Sequence, residues 1–305
     1  MPCGIGELRI MSLRSGSFLL PVGALILSIV SFQFGAILAK QLFPIIGAQG
    51  TTAVRLGLGA VILWLVRRPW RHLRGRRDWA SLVGYGLTIG VMNLVFYMSL
   101  RTIPLGIAVT LEFLGPLAIA LFGSRRALDL VWVALAIAGL ALLLPFRESD
   151  HALDPVGVTY ALAAGVCWAI YILVGRRAGA AFGRDAVALG SAIGALVAVP
   201  VGVAHAGTAL FALSILPFAI GVAVLSSAFP YSLEMYALTR LPARTIGILV
   251  SIEPAVGALL ALPFLGEHLA ALQWLAIGAI VVASIGAVIG ARQPADETAE
   301  SAQAV

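Results

Sequence analysis

The sequence predicts an all-α membrane protein: ten transmembrane helices arranged as two inverted five-helix repeats. Composition is the first sign. Of 305 residues, 61% are hydrophobic and only 11% charged, with a mean hydropathy of +1.02. A water-soluble domain carries roughly 25% charged residues, so a soluble enzyme, a nucleic-acid-binding domain and a disordered chain are all excluded. The second sign is the recurrence of apolar runs close to the roughly 20 residues that cross a bilayer. The third is that the basic residues gather on one side of the resulting topology.

The first run, 18–38, comes after Arg9 and Arg14 and is longer than the apolar core of a signal peptide, so it reads as a retained helix. Residues 1–10 differ in character from the rest of the chain, and Met11 is a candidate start. Lys40 closes the first run, and the second, 51–66, carries Arg55 and ends at the Arg67–Arg77 cluster. The third, 80–99, contains Asn93 and ends near Tyr97. The fourth, 104–123, opens on Pro104 and holds Glu112 and Pro116; Arg125 and Arg126 separate it from the fifth, 128–145. The sixth, 156–174, carries Cys167, Trp168 and Tyr171, and the seventh, 186–204, contains Gly190 and Gly194. The eighth, 213–235, ends near Glu234, and the ninth, 246–264, includes Glu253 and Pro254. The tenth is 272–290, after which residues 291–305 read as a disordered cytoplasmic tail. The units are thus a cytoplasmic segment 1–17, a first repeat 18–147, a second repeat 155–290 and the tail. A β-barrel does not fit, because the runs are about twice as long as barrel strands and lack their alternation.

With both termini in the cytoplasm, the cytoplasmic segments hold Arg9, Arg14, Arg67, Arg68, Arg71, Arg74, Arg76, Arg77, Arg125, Arg126, Arg176, Arg177, Arg184, Arg240, Arg244 and Arg292. That is 16 of the 20 Lys and Arg residues. The opposite side holds only Lys40, Arg101 and Arg147, and Arg55 lies within a helix. A wrong helix count would scramble this asymmetry. It explains the net charge of +6 without nucleic acid, and leaves anionic lipid as the partner of the arginine cluster.

The chain also repeats itself. Ile103-Pro104 through Gly115-Pro116 parallels Leu241-Pro242 through Glu253-Pro254, with the prolines 12 residues apart in each copy and an intramembrane Glu near the second. An odd number of helices per copy inverts the second copy. Such inverted repeats characterise transporters that place substrate at mid-membrane between the halves and alternate access by rocking.

Few residues can carry chemistry. A charge at the bilayer centre costs about 2.5–3.5 kcal/mol on insertion scales, so each needs a reason. Glu112 either faces an aqueous cavity, binding an ammonium or a proton, or is held by a neighbouring helix. Glu253 precedes Pro254, whose missing N–H loosens the helix there. Glu234 reads as snorkelling to water or pairing with Arg240. Arg55 either binds a carboxylate in a two-pronged fashion or snorkels to the outer interface. Asn93 and Gln33 could hydrogen-bond a zwitterion or join helices. Trp168 and Tyr171 share a helix face, and with Tyr97 they line a cavity or simply pack. Trp64, Trp70 and Trp79 read as an interfacial belt.

The four histidines are placed in loops without zinc-ligand spacing, and the two cysteines, Cys3 and Cys167, form no disulfide framework. No metal, cofactor or catalytic set is expected, and no ATP-binding sequence is present, so movement of a solute would be gradient-driven or downhill. Gly86-x-x-x-Gly90, Gly190-x-x-x-Gly194 and Gly286-x-x-x-Gly290 are faces for close helix packing.

Several stretches carry a family resemblance: Pro104-Leu-Gly-Ile-Ala-Val-Thr-Leu-Glu112-Phe-Leu-Gly-Pro116, Cys167-Trp168-Ala-Ile-Tyr171, Pro230-Tyr-Ser-Leu-Glu234 through Arg244-Thr, Ser251-Ile-Glu253-Pro254 and Leu265-Gly266-Glu267. The chain resembles the threonine/homoserine exporter branch of the EamA-type drug/metabolite transporter superfamily over roughly residues 14–290. The resemblance implies a bacterial inner-membrane exporter of small amino acids, coupled to proton entry, and not an enzyme. A homodimer is a candidate assembly. The readings set against it are an exporter of other metabolites or drugs and, in a different class, a membrane-embedded enzyme acting on lipid. On the amino-acid reading the expected site comprises Glu112, Arg55, Asn93, Trp168, Tyr171, Tyr97 and Glu253.

Overall fold

The computed structural model describes residues 5–71, 78–122, 127–143, 153–238, 240–241, 246 and 249–290. The tail 291–305, Arg244 and much of the Arg67–Arg77 loop lie outside them. The described chain is helical, without a strand among these residues.

Helix α1 runs from Ile5 to Arg67, but Gly47 inside it has φ 69° and ψ 174°. That conformation belongs to glycine. Gly35 and Gly59 lie 24 residues apart, roughly 36 Å along a straight helix. Yet they pack against the adjacent residues Ser226 and Ser227. The run is therefore a hairpin of two legs turning at Gly47, and the legs correspond to the first two predicted spans. The sequence suggests a break somewhere in 39–50; the structure keeps helical backbone on both sides of that one glycine.

Helix α2, Trp79–Ser99, is capped by Asp78, whose Oδ1 accepts from the Ser81 N–H at 3.1 Å. Helices α3, Leu105–Phe122, and α4, Ala127–Leu143, come next. Helix α5, Pro155–Phe182, has proline in its first turn, and its Asp154 cap accepts from the Val156 and Gly157 N–H groups. The Thr102 hydroxyl, with those N–H groups, holds the exposed Asp154 carboxyl below the usual carboxylate range. Helix α6 is Ala186–Ala206. His205 lies in its last turn against Gly47, a correction to the loop position expected from sequence.

The eighth predicted span is one rod in three parts: α7, Leu216–Ala223; a π-helical turn, Val224–Ala228; and α8, Phe229–Leu238. The ninth is interrupted by a turn at Ser251–Ile252, and α9 runs from Glu253 to Leu265 with Pro254 in its first turn. Helix α10, Ala271–Gly290, ends the fold. Five helical runs among the described residues are long and apolar enough to cross a membrane: Leu19–Arg67, Trp79–Ser99, Pro155–Phe182, Ala186–Phe211 and Leu213–Glu234. Shorter apolar helices occupy Leu105–Ile119, Leu130–Leu142, Glu253–Leu265 and Ala271–Ala287.

Glycine sets the closest contacts. Gly86 and Gly90 of α2 meet Gly190 and Gly194 of α6, so that a methyl group on Gly90 would stand 2.7 Å from the Gly194 carbonyl. Two of the predicted packing faces are thus partners. Gly286 of α10 lies against the Trp132 ring of α4. Outward, large apolar side chains such as Leu130, Leu196 and Leu213 are more than 70% exposed, the surface a lipid solvent favours.

Candidate functional site

A cavity of about 140 Å³ lies where the first leg of α1, its second leg, α2, α3, α5, α8 and the start of α9 meet. One water needs about 10–15 Å³ of such space, so the cavity suits a small solute. Its wall includes Arg55, Asn93, Glu112, Trp168, Tyr171 and Glu253. Residues scattered over some 200 positions of sequence are thereby gathered around one space. Ser28, Gln33, Tyr231 and Glu234 add to its polar lining, and Phe32, Met92 and Phe96 supply apolar surface.

Arg55 is held by a local peculiarity of the eighth span. Pro230 has no N–H, so the Ser226 carbonyl four residues earlier loses its helical partner. In the π turn the Phe229 N–H bonds to Val224 rather than to Leu225, which frees the Leu225 carbonyl as well. Two side chains of α1 take up the freed groups. Arg55 Nη2 donates to the Ser226 carbonyl at 2.9 Å, and Ser31 Oγ donates to the Leu225 carbonyl at 2.7 Å. Arg55 is 93% buried, its Nε has no partner among the described residues, and its guanidinium carbon sits 5.2 Å from the centre of the Tyr97 ring. It is anchored at one end and retains donors. Isolated π turns often mark functional positions.

Tyr97 is fully buried behind Arg55 rather than in the cavity wall, packed against Phe43 and Phe96. Asn93 donates to the Ile89 carbonyl of its own helix at 2.9 Å. Trp168 stands edge-on to Phe113, and Tyr171 stacks on Tyr85 with their hydroxyls 3.2 Å apart. Glu253 accepts from Gln33 Nε2 at 3.1 Å and lies in the first turn of α9, just after the break. There the positive end of the helix dipole favours a carboxylate.

Among the described residues, ionisable groups of both kinds line the cavity: the Arg55 guanidinium and the carboxyl groups of Glu112, Glu234 and Glu253. The arrangement can hold an anion at Arg55 and a cation, or protons, at the acids. On the Lys40 side Glu267 ties two parts of the chain together. Lys40 Nζ pairs with Glu267 Oε1 at 2.5 Å, while Glu267 Oε2 accepts the Leu105 N–H at 2.8 Å. Tyr97, Leu100, Ile103 and Leu105 are buried beneath.

Sequence reasoning assigns Glu234 to the interface and passes over Tyr231 and Tyr85. Pro230 is the available signal for the first two, since a proline in an apolar span marks freed backbone and a turned face. Tyr85 has none, because its role depends on a partner 86 residues away.

Residues 155–289 match the sequence profile described as the EamA-like transporter family. The threonine/homoserine exporter RhtA of Escherichia coli (strain K12) is 52% identical over 282 residues, covering 92% of this chain and 96% of that protein. The protein of the same name from Salmonella typhimurium (strain LT2) is 52% identical over 274 residues, 90% of this chain and 93% of that one. The uncharacterized inner membrane transporter YedA of Escherichia coli (strain K12) is 27% identical over 219 residues, 69% of this chain and 71% of that one. One solved crystal structure, 20% identical, superimposes with a TM-score of 0.53 over 91% of this chain and 99% of its own.

Proposed function

We propose, on the premise that this chain belongs to the EamA-like transporter family and to its RhtA branch, that it exports threonine, homoserine and similar small amino acids. It is a multi-pass transporter of the bacterial inner membrane, not an enzyme. The observation that carries the substrate reading is the cavity itself, with Arg55 on one wall and Glu112, Glu234 and Glu253 on others. A zwitterion presents one carboxylate and one ammonium. Arg55 receives the carboxylate through the donors that Ser226 leaves free, and Glu112 receives the ammonium. Trp168 and Tyr171 form the wall against the side chain, Asn93 and Glu253 stand beside them, and Tyr97 backs the guanidinium.

Export proceeds by alternating access of two inverted repeats, 18–147 and 155–290, each of five crossings, with both termini cytoplasmic. The pairing of helices supports this. The first leg of α1 meets α8 as α5 meets α2, and the first leg meets α9 as α5 meets α3. The second leg packs on α6, and α4 packs on α10, as a two-fold relation between halves requires. Inward proton movement drives export, because a carboxylate that binds either a proton or the substrate's ammonium exchanges one for the other. The break before Glu253 supplies the discontinuous helix on which such sites are built.

Cells lacking their own exporters, expressing this chain and loaded with a threonine-containing dipeptide, test the reading. External threonine should rise well above the empty-vector level. Efflux equal to the vector for every amino acid tried refutes it.

A further inference from the structure

A second cavity, of about 190 Å³, adjoins the first and is lined by Gly179, Gly183, Ala186 and Tyr85. The two cavities share Tyr171, Tyr231 and Glu234. This second space lies at the end of α5 that follows Arg176 and Arg177, the side to which the charge asymmetry assigns the cytoplasm. On the opposite side stand the Lys40–Glu267 pair and the buried residues Tyr97, Leu100, Ile103 and Leu105.

The partition between the spaces has a deeply buried leaf and a less buried one. Tyr85 is 5% exposed and clamped, since a methyl group on Gly190 would collide with its ring and one on Gly175 would stand 3.0 Å from it. Tyr171 is only partly buried, and a 5.0 Å stack and one hydroxyl hydrogen bond hold it to Tyr85. Beside them stand Tyr231 and the Glu234 carboxylate, which faces both spaces. A carboxylate among aromatic faces attracts an ammonium group.

We infer that the second cavity is the antechamber through which a small ammonium-bearing substrate reaches the central cavity, with Glu234 receiving it and the Tyr85–Tyr171 pair as the barrier it passes. The inference rests on the export reading for its substrate but not for its geometry.

Gly179 provides the test, because a side chain there meets open space. In a chain with Cys3 and Cys167 replaced by serine, Gly179→Cys should react with a membrane-impermeant maleimide only from the Arg176 side, and saturating threonine should slow the reaction. Labelling from the other side alone, or from neither, overturns the inference. Gly179→Trp, at an unchanged membrane level, should lower threonine export about tenfold or more. Gly278→Trp, a matched control on an exposed face of α10 with equally open space, should stay near wild type. Equal export by the two overturns the inference. Glu234→Gln should raise the half-saturating cytoplasmic threonine about tenfold, the loss of one charge-assisted hydrogen bond; an unchanged value removes Glu234 from the path. A wild-type chain that moves no threonine refutes the substrate reading, and the sidedness of maleimide labelling then decides the antechamber by itself.

Discussion

Replacing Arg55 by glutamine removes the one buried cation that lines the cavity among the described residues, while keeping a donor near the Ser226 carbonyl. In the wild type Nη2 is committed to that carbonyl at 2.9 Å and Nε has no protein partner among the described residues. The guanidinium therefore enters binding already oriented, with its remaining donors for a carboxylate. A hydrogen bond to a charged group is worth about 1.5–3 kcal/mol, or about 10–150-fold in affinity at 1.4 kcal/mol per decade. Arg55→Gln should accordingly raise the half-saturating threonine concentration in proteoliposome exchange by about 10–150-fold. Arg55→Lys should recover only part, since an ammonium bonded to Ser226 is a point charge without the planar fork. The discriminating readout is threoninol, which lacks the carboxylate. Wild type should strongly prefer threonine to threoninol, and Arg55→Gln should lose that preference. If the substitution weakens both ligands equally, the coupling between Arg55 and the carboxylate is absent and Arg55 only braces the π turn.

Further outcomes rest on packing and capping. Gly190→Val should sharply reduce folded protein in detergent, measured by size-exclusion chromatography, because even a Cβ there would collide with the Tyr85 ring and overpacking costs about 1–3 kcal/mol; a wild-type profile would refute the α2–α6 contact. Glu267→Ala should lower the melting temperature more than Glu267→Gln, since glutamine still accepts the Leu105 N–H while losing only the ion pair with Lys40. Equal losses would show that the N–H contact contributes nothing. The Asp154 cap has a depressed carboxyl pKa in the fold, caused first by the Thr102 hydroxyl. Its contribution is present above the ordinary Asp value of about 3.9 and is lost as pH falls through the lower folded value. Asp154→Asn should therefore flatten the acid limb of a melting-temperature profile, and an unchanged limb would refute the linkage.

The all-helical, membrane-spanning character is legible because lipid demands long apolar runs; five described helices reach that length and four apolar ones are shorter. Glu112, Arg55, Asn93, Trp168, Tyr171 and Glu253 were legible as site candidates for the same reason, since polarity within such runs is rare. The paired faces at Gly86, Gly90, Gly190 and Gly194 were visible as spacing, though not as partners. The hidden features depend on tertiary placement or on single residues. The hairpin in α1 turns on Gly47, one glycine in a chain with 33. The π turn becomes visible only when Arg55 and Ser31 are seen bonding its carbonyls. Glu234 sits near a helix end, where sequence favours snorkelling, but the same face of α8 borders both cavities. The sequence places Tyr97 in the wall, whereas in the structure it is fully buried against Arg55 and outside the cavity lining.

Counterflow of labelled threonine into liposomes holding only the purified chain tests most directly whether it carries amino acids through the cavity built on Arg55 and Glu112. Wild type preloaded with threonine or homoserine should accumulate label, and Glu112→Gln, reconstituted to the same level, should not. Absence of counterflow in the wild type, or wild-type counterflow in Glu112→Gln, would rule out transport through a cavity that depends on Glu112.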